Sequence, residues 1–363
     1  MSNYISTLPT ELISEIFIIV IYRSHNCVRF TEPLRLSGVC KTWQAVAFDT
    51  PQLWTNLSFA VSDSITVDDI EFYTVWLNRA RSRHLNLVVI TYKIIPPPYF
   101  FDFFHNIRNR IASLTFDSTI LMSIFYDILP HLSTVRFEMN NPGEFVTAKQ
   151  MLAVLSSSPN LTSLDIDMVA DYDRQQPILD LPWTYCGITN ISLTSERTDM
   201  SRLLAYLTVP TLKELNITLG HNQIARLADF LQRSSSSLEN LCIEAESDDE
   251  YWVETDIELL LQVVPVLATL KLYGNDTLIA STISVLTNIR IIPHVQYLEI
   301  ELFTVVPDDN WFLNLYNAIS TRSDFLKSLR LDSNSEEQSQ WSDTIESAFS
   351  KLESEGMKII YNL

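Results

Sequence analysis

Catalysis needs particular side chains at particular spacings, and this sequence offers few of them. It contains no GxSxG turn to present a nucleophilic serine, no HExxH pair to hold zinc, and no GxxxxGK[ST] or GxGxxG loop to cradle phosphate. Six isolated glycines in 363 residues leave little material for such a loop. His25, His84, His105, His131, His221 and His294 stand at no ligand spacing and read as surface or loop residues. Cys27, Cys40, Cys186 and Cys242 are scattered without a CxxC pair, so neither a zinc site nor a disulfide framework is expected, and a reducing, intracellular compartment fits. Asp165 and Asp167, two apart, can share one strand face. Solvated carboxylates there are ordinary surface charge, because burial is what retunes an acid for proton transfer. No enzyme, cofactor or metal is expected, and the function is to be sought in binding.

The elements that would position a binding surface follow from a repeated phrase, apolar-x-x-apolar-x-apolar. Clear copies start at Leu132 (LSTVRF), Leu161 (LTSLDI), Leu212 (LKELNI), Leu238 (LENLCI), Leu267 (LATLKL), Val295 (VQYLEI) and Leu326 (LKSLRL). Conservative copies start at Ile111 and Ile188, and weaker ones lie at Trp54-Leu57-Phe59 and, with Ser82 first, at Leu85-Leu87. Successive copies are 21 to 31 residues apart. The last two apolar residues share one face of a short strand, and the first belongs to the turn that enters it. Helix-like stretches lie between, such as NQIARLADFLQRS from Asn222, whose Ile224, Leu227, Ala228 and Leu231 fall on one face. A single strand and helix cannot bury these faces, but a stack of them can, which predicts an α/β solenoid. Period and phrase resemble leucine-rich repeats over about residues 54–363. The Asn or Cys that usually closes that family's strand turn is mostly absent, so an irregular array of strand–helix units is expected, with its domain at 61–363.

If the phrase's apolar residues point inward, the residues between them line the outer, concave face. From Ser113 onward those positions supply Asp117, Glu138, Asp165, Asp167, Glu214, Glu244, Glu299, Glu301 and Asp332, against Arg136, Lys271 and Arg330. Tyr273 and Tyr297 stand among them in adjacent repeats, and aromatic anchors favour interface hot spots. One reading is a groove for a basic protein target, centred on those tyrosines; the other is a solvated face that keeps a large protein soluble. The total charge of −19 has the same address. Residues 1–120 carry ten basic and ten acidic side chains, so the other 15 basic and 34 acidic residues fall in 121–363. Such a field repels phosphate backbones and anionic lipid, so neither nucleic acid nor membrane is an expected partner. The apolar run Ile16 to Tyr22 is too short to span a bilayer. Five Asn-x-Ser/Thr sequons, at Asn56, Asn160, Asn190, Asn216 and Asn275, read as strand-edge composition rather than glycosylated surface.

Residues 1–60 follow another pattern. In LPTELISEIF, Pro9 suits the first position of a helix, and Leu12, Ile13, Ile16 and Phe17 follow at helical spacing. After a loop around His25 to Pro33, PLRLSGVCKTWQAVAFDTPQLW supplies Leu34, Leu36, Val39, Cys40, Trp43, Val46 and Ala47, then Leu53 and Trp54. Two or three short helices cannot bury so many large side chains, and an apolar remainder on a small module indicates a partner. LPTEL with IF, VCKTW and TPQLW together resemble an F-box, in the variant common in fungi, over about residues 7–56. Pro9 and Val39 are roughly eight residues further apart than in a common F-box, which lengthens the inter-helix loop. The resemblance implies a small all-α module that docks a Skp-type adaptor and, through it, a cullin–RING ubiquitin ligase. Leu8, Pro9, Leu12, Ile16, Phe17, Val39, Cys40, Trp43 and Trp54 would divide between adaptor contact and the module's own core, with Cys40 a small apolar packer. A substrate-recruiting adaptor is therefore the first expectation. A scaffold outside ubiquitylation, whose N-terminal helices merely cap the solenoid, is the alternative.

Overall fold

The computed structural model describes residues 8–23, 31–62, 65–91, 96–117, 128–139, 148–168, 183–195, 204–234, 237–245, 251–303, 308–333 and 343–362. The chain forms two compact units, Met1–Asn141 with Lys149–Leu161, and Pro142–Ala148 with Thr162–Leu363.

The first unit opens with helices α1 (Thr10–Arg23), α2 (Thr31–Ser37) and α3 (Lys41–Asp49) and a 3-10 turn at Pro51–Trp54. Pro9 stands immediately before α1, where its carbonyl accepts from the Leu12 and Ile13 amides and its own missing N–H costs nothing. Strand–helix units follow: β1 (Asn56–Val61), α4 (Val67–Arg79), β2 (Leu85–Thr91), α5 (Pro98–Ile107), β3 (Ile111–Phe116), β4 (Thr134–Met139) and α6 (Ala148–Ser157). α4 begins with a capping box: Thr66 Oγ1 accepts from the Asp69 amide at 3.2 Å, and the Asp69 carboxylate accepts from the Thr66 amide at 2.8 Å. β1 to β4 lie side by side, parallel and in chain order. Residue 60 falls inside β1, so the expected boundary between module and repeats runs through a strand of this unit.

The second unit contains β5 (Ser163–Met168), β6 (Trp183–Thr184), β7 (Asn190–Ser195), β8 (Leu207–Thr208), β9 (Glu214–Leu219), α7 (Ile224–Ser234) and β10 (Asn240–Ala245). It continues with α8 (Glu254–Gln262), β11 (Thr269–Gly274), α9 (Asp276–Leu286), β12 (Tyr297–Leu302), α10 (Asp309–Ser320), β13 (Ser328–Ser333), α11 (Asp343–Ser354) and β14 (Lys358–Asn362). Strands β5, β7 and β9 to β14 are parallel neighbours in chain order, while β6 and β8 pair separately. Their register aligns the repeated phrase in two buried rows. One runs through Leu164, Ile191, Leu215, Leu241, Leu270, Leu298 and Leu329, the other through Ile166, Leu193, Ile217, Ile243, Leu272, Ile300 and Leu331. Each such side chain stabilises the stack by about 1.5–3 kcal/mol. α7, α8, α9, α10 and α11 pack each on the next.

The turn entering each strand extends the ladder. The amides of Lys213, Glu239, Gln296, Lys327 and Lys358 donate to the carbonyls of Thr189, Lys213, Ala268, Gln296 and Lys327, all at 2.8–2.9 Å. Two residues hold the stack in ways the phrase does not contain. Gly274 ends β11 where a Cβ would lie 2.8 Å from that of Ala245, so only glycine lets the strands close there. Arg322, 2% exposed, donates to the carbonyls of Leu286, Asn288, Ile291 and Ile292 at 2.8–3.1 Å. These acceptors end α9 and form the turn behind it, where Ile292 adopts a φ of 41°. The architecture is an α/β solenoid preceded by a small helical module.

Candidate protein-binding surfaces

α1 is apolar on two faces. Ile13, Phe17 and Ile21, spaced by four, are buried, with the Phe17 ring 4.9 Å from that of Trp43. Leu12, Ile16, Ile19 and Val20 form the other face and, with Val39 behind α2, remain 45–60% exposed. The nine residues expected to serve adaptor contact or core therefore divide. Phe17 and Trp54 are core, Leu8 and Trp43 are half-buried, and Pro9, Leu12, Ile16, Val39 and Cys40 are exposed. Cys40 is not the buried packer expected: it is the N-cap of α3, its sulfur 3.5 Å from the Trp43 amide. Trp54 belongs as much to the first repeat as to the helices. Its Nε1 donates to the Ala47 carbonyl at 2.8 Å, and its ring meets Trp76 of α4 edge-on at 4.7 Å. The Arg79 guanidinium lies 4.1 Å from the Phe48 ring and 4.5 Å from that of Trp54, and Arg81 pairs with Asp49 at 3.2 Å. The helices are thus fastened to α4 without a linker.

In the second unit the strand face carries three rows. The middle row reads Asp165, Ser192, Asn216, Cys242, Lys271, Glu299 and Arg330, and the row toward the strand ends reads Asp167, Thr194, Thr218, Glu244, Tyr273, Glu301 and Asp332. Tyr297 lies in the remaining row, opposite Thr269, whereas Tyr273 lies opposite Glu301. The two tyrosines stand at opposite ends of their strands and do not form the single centre expected of them. The cations of the middle row are already engaged. Lys271 Nζ is 2.8 Å from Glu299, and Arg330 Nε is 2.5 Å from Asp332 and 3.7 Å from Glu299. Glu214 accepts from Asn190 Nδ2 at 2.7 Å and Glu244 from Thr218 Oγ1 at 3.2 Å.

Glu214, Asn216, Asn240, Cys242, Lys271 and Tyr273 line a half-open depression of about 470 Å³. Burial pushes the Cys242 thiol up to about 12, against the pull of Lys271, so it is not a ready nucleophile. Burial, and behind it the Cys242 thiol and the Glu299 and Glu301 carboxylates, raises the Tyr273 phenol as well. Glu244 is raised by burial, with Glu301 and Asp167 adding repulsion and the Thr218 hydrogen bond opposing it. Asp167, Glu244 and Glu301 therefore share one negative potential at the strand ends.

Comparison with known proteins bears on the helices first. A family model described as F-box-like matches residues 5–60. This segment is F-box-like. Among solved structures that match, the leucine-rich repeat-containing protein LegL7 from Legionella pneumophila is 12% identical, with a TM-score of 0.43, covering 82% of this chain and 98% of that one. No curated protein matches the chain.

Among the described residues no helix is long and apolar enough to cross a membrane, and no group of three or more His, Cys, Asp or Glu side chains could hold a metal. Four of the sequon asparagines make structural hydrogen bonds. Asn86 donates to Asn56 across β1 and β2 at 2.7 Å, Asn160 donates to the Pro130 carbonyl at 2.7 Å, Asn190 donates to Glu214, and buried Asn275 caps α9 by accepting from the Leu278 amide at 3.0 Å. The acidic run Asp248 to Glu250 lies outside the described residues. Arg322 and Gly274 carry no periodic pattern in the sequence, since each acts through one local geometry. The turn histidines His84 and His131 are 47 positions apart in sequence, yet their rings stack with centroids 5.0 Å apart.

Proposed function

We propose that this chain is the substrate-recruiting subunit of a Skp–cullin–F-box ubiquitin ligase. The F-box-like module docks a Skp-type adaptor, and the strand face of the second unit holds a basic segment of a protein target. The observation that carries this reading is the exposed row Leu12, Ile16 and Ile19 on a helix whose opposite row is already buried. Exposed apolar side chains at i, i+4 and i+7 are what a partner helix or groove takes up. A capping role accounts for the seat of Trp54 on Trp76, but a cap has no use for a second apolar row. The chain contributes no reacting group; holding target and ligase on one body raises the effective concentration of target lysines near the charged enzyme.

The test is co-purification of the full chain with a recombinant Skp-type adaptor. Leu12→Asp with Ile16→Asp is expected to abolish capture while leaving the melting curve unchanged, because both side chains are exposed. Phe17 is unsuitable for this purpose because its burial would confound folding with binding. Adaptor capture by the double variant at the wild-type level would refute the reading.

A further inference from the structure

The depression on the strand face of the second unit gathers polar groups that the fold leaves unused. Of the sequon asparagines, Asn56, Asn160, Asn190 and Asn275 hydrogen-bond within the structure. Among the described residues, nothing hydrogen-bonds the side chain of the remaining one, Asn216, which sits in β9 opposite Cys242 of β10. Asn240 lies two residues before Cys242 on the same strand, and Thr269 lies opposite Asn240 on β11. Their side chains likewise have no hydrogen-bond partner among the described residues. All three are half-buried and line the depression.

A merely solvated face is the simpler account, and it falls short here in two ways. The unused groups lie in a recess, because the small Cys242 side chain stands between Asn216 and Lys271 in the middle row, with Tyr273 as a wall toward the strand ends. Around that recess the face pairs its side chains: Asn190 with Glu214, Thr218 with Glu244 and Lys271 with Glu299. The lining is also balanced in charge, with Glu214 the carboxylate and Lys271 the ammonium. A charged side chain entering there meets repulsion as well as attraction, whereas a neutral dipole finds partners of both signs. Each asparagine amide offers two donors and an acceptor. A peptide main chain, with one N–H and one C=O per residue, complements that set.

We propose that Asn216, Asn240 and Thr269 bind the main chain of an extended target segment laid across β9, β10 and β11, while its basic side chains turn to Glu244 and Glu301. The segment is the basic one already assigned to the strand face, so this site rests on that reading. Adjacent strands are about 4.8 Å apart, so the three strands span about 10 Å, the length of three extended residues. Glu244 and Glu301 belong to β10 and β12, about 10 Å apart by the same spacing, and flank the recess at the strand ends. The division of labour is chemical. Amides that bind a main chain are blind to sequence and fix its course, and the carboxylates select the side chains. Water leaves the amides when the main chain arrives, so each hydrogen bond adds only a modest net gain.

The experiment titrates two labelled decapeptides, alternating Lys-Gly and alternating Lys-sarcosine, with the full chain and reads fluorescence anisotropy. The peptides carry the same charge, and sarcosine puts a methyl group where glycine has its N–H. The Lys-Gly peptide is expected to bind saturably and the sarcosine peptide roughly tenfold more weakly. Asn216→Ala with Asn240→Ala should weaken the Lys-Gly peptide by a similar factor and bring the two peptides within about twofold of each other. Neither side chain has a partner in the fold, so an unchanged melting curve should accompany that loss. Equal affinity of the two peptides for the unaltered chain, or a sarcosine penalty that persists in the asparagine variant, overturns the proposal. Glu244→Gln with Glu301→Gln tests the underlying reading separately and should weaken both peptides alike. If it weakens neither, the basic-segment reading fails and the main-chain contact stands; binding of neither peptide overturns both.

Discussion

The outer row of α1 and the strand face of the second unit are both what remains after a core has formed, yet they remain in different ways. On α1 the remainder is apolar, and nothing in solution satisfies it. On the strand face it is polar and largely self-satisfied. Lys271, Glu299, Arg330 and Asp332 bridge one another, Asn190 and Thr218 occupy Glu214 and Glu244, and Tyr273 adds its hydroxyl to Glu299. Exposed apolar area draws a partner through area alone, whereas a bridged charged face offers orientation and selectivity and little intrinsic gain. The module accordingly suits a constant partner and the strand face a discriminating one. The middle-row cations neutralise Glu299 and Asp332, so the net negative field of this face comes from its remaining carboxylates.

The contrast between the two rows of α1 breaks most visibly by truncation. Phe17→Ala empties a fully buried site against Trp43 and is expected to cost about 3–5 kcal/mol, whereas Ile16→Ala on the exposed row should stay within about 0.5 kcal/mol. Urea denaturation of the two variants checks both; equal losses would mean that α1 has no outer row. A comparable contrast separates buried from exposed charge in the second unit. Arg322→Ala leaves four carbonyls without their donor and should cost at least about 3 kcal/mol, with Arg322→Lys recovering only part because one ammonium cannot span them. Lys271→Ala removes a solvated bridge and should cost under about 1 kcal/mol.

Those magnitudes indicate which features a sequence reading could reach. The repeat was legible because the same two buried rows recur in strand after strand, and any one copy could be weak without erasing the period. β14 escaped because Tyr361, at the position that elsewhere holds a buried Leu or Ile, is exposed. The short β6 and β8 pair carries no phrase at all. On the surfaces, the acidic composition of the strand face was legible, but the pairing of its charges was not. Lys271 and Glu299 are 28 residues apart and meet only through the register of β11 and β12. The separation of Tyr273 from Tyr297 has the same cause, since adjacency of repeats says nothing about position along the strand. In the module, helical spacing selected the right residues but could not say which row faced inward. The structure settles that with the Phe17 ring, buried 4.9 Å from that of Trp43 in α3.

The smallest expected effect tests whether the strand ends are a shared negative potential or merely solvated acids. Glu244 carries a raised pKa because burial and the charges of Glu301 and Asp167 disfavour its ionised form. A carboxyl whose folded pKa lies above its unfolded value binds more protons in the native state. Its favourable contribution is therefore complete below the unfolded pKa and is lost as pH rises through the folded value. At neutral pH the ionised Glu244 opposes folding, and Glu244→Gln, which keeps the acceptor for Thr218, should stabilise the chain by less than about 1 kcal/mol after solvent screening. The gain should appear as pH rises above the ordinary glutamate range and vanish below it, as read from urea midpoints of both proteins across that interval. A gain independent of pH would instead assign the effect to packing. No gain at any pH would mean that solvent already screens Glu244 from its neighbours, and the strand ends would then offer a basic target separate carboxylates in place of one joined field.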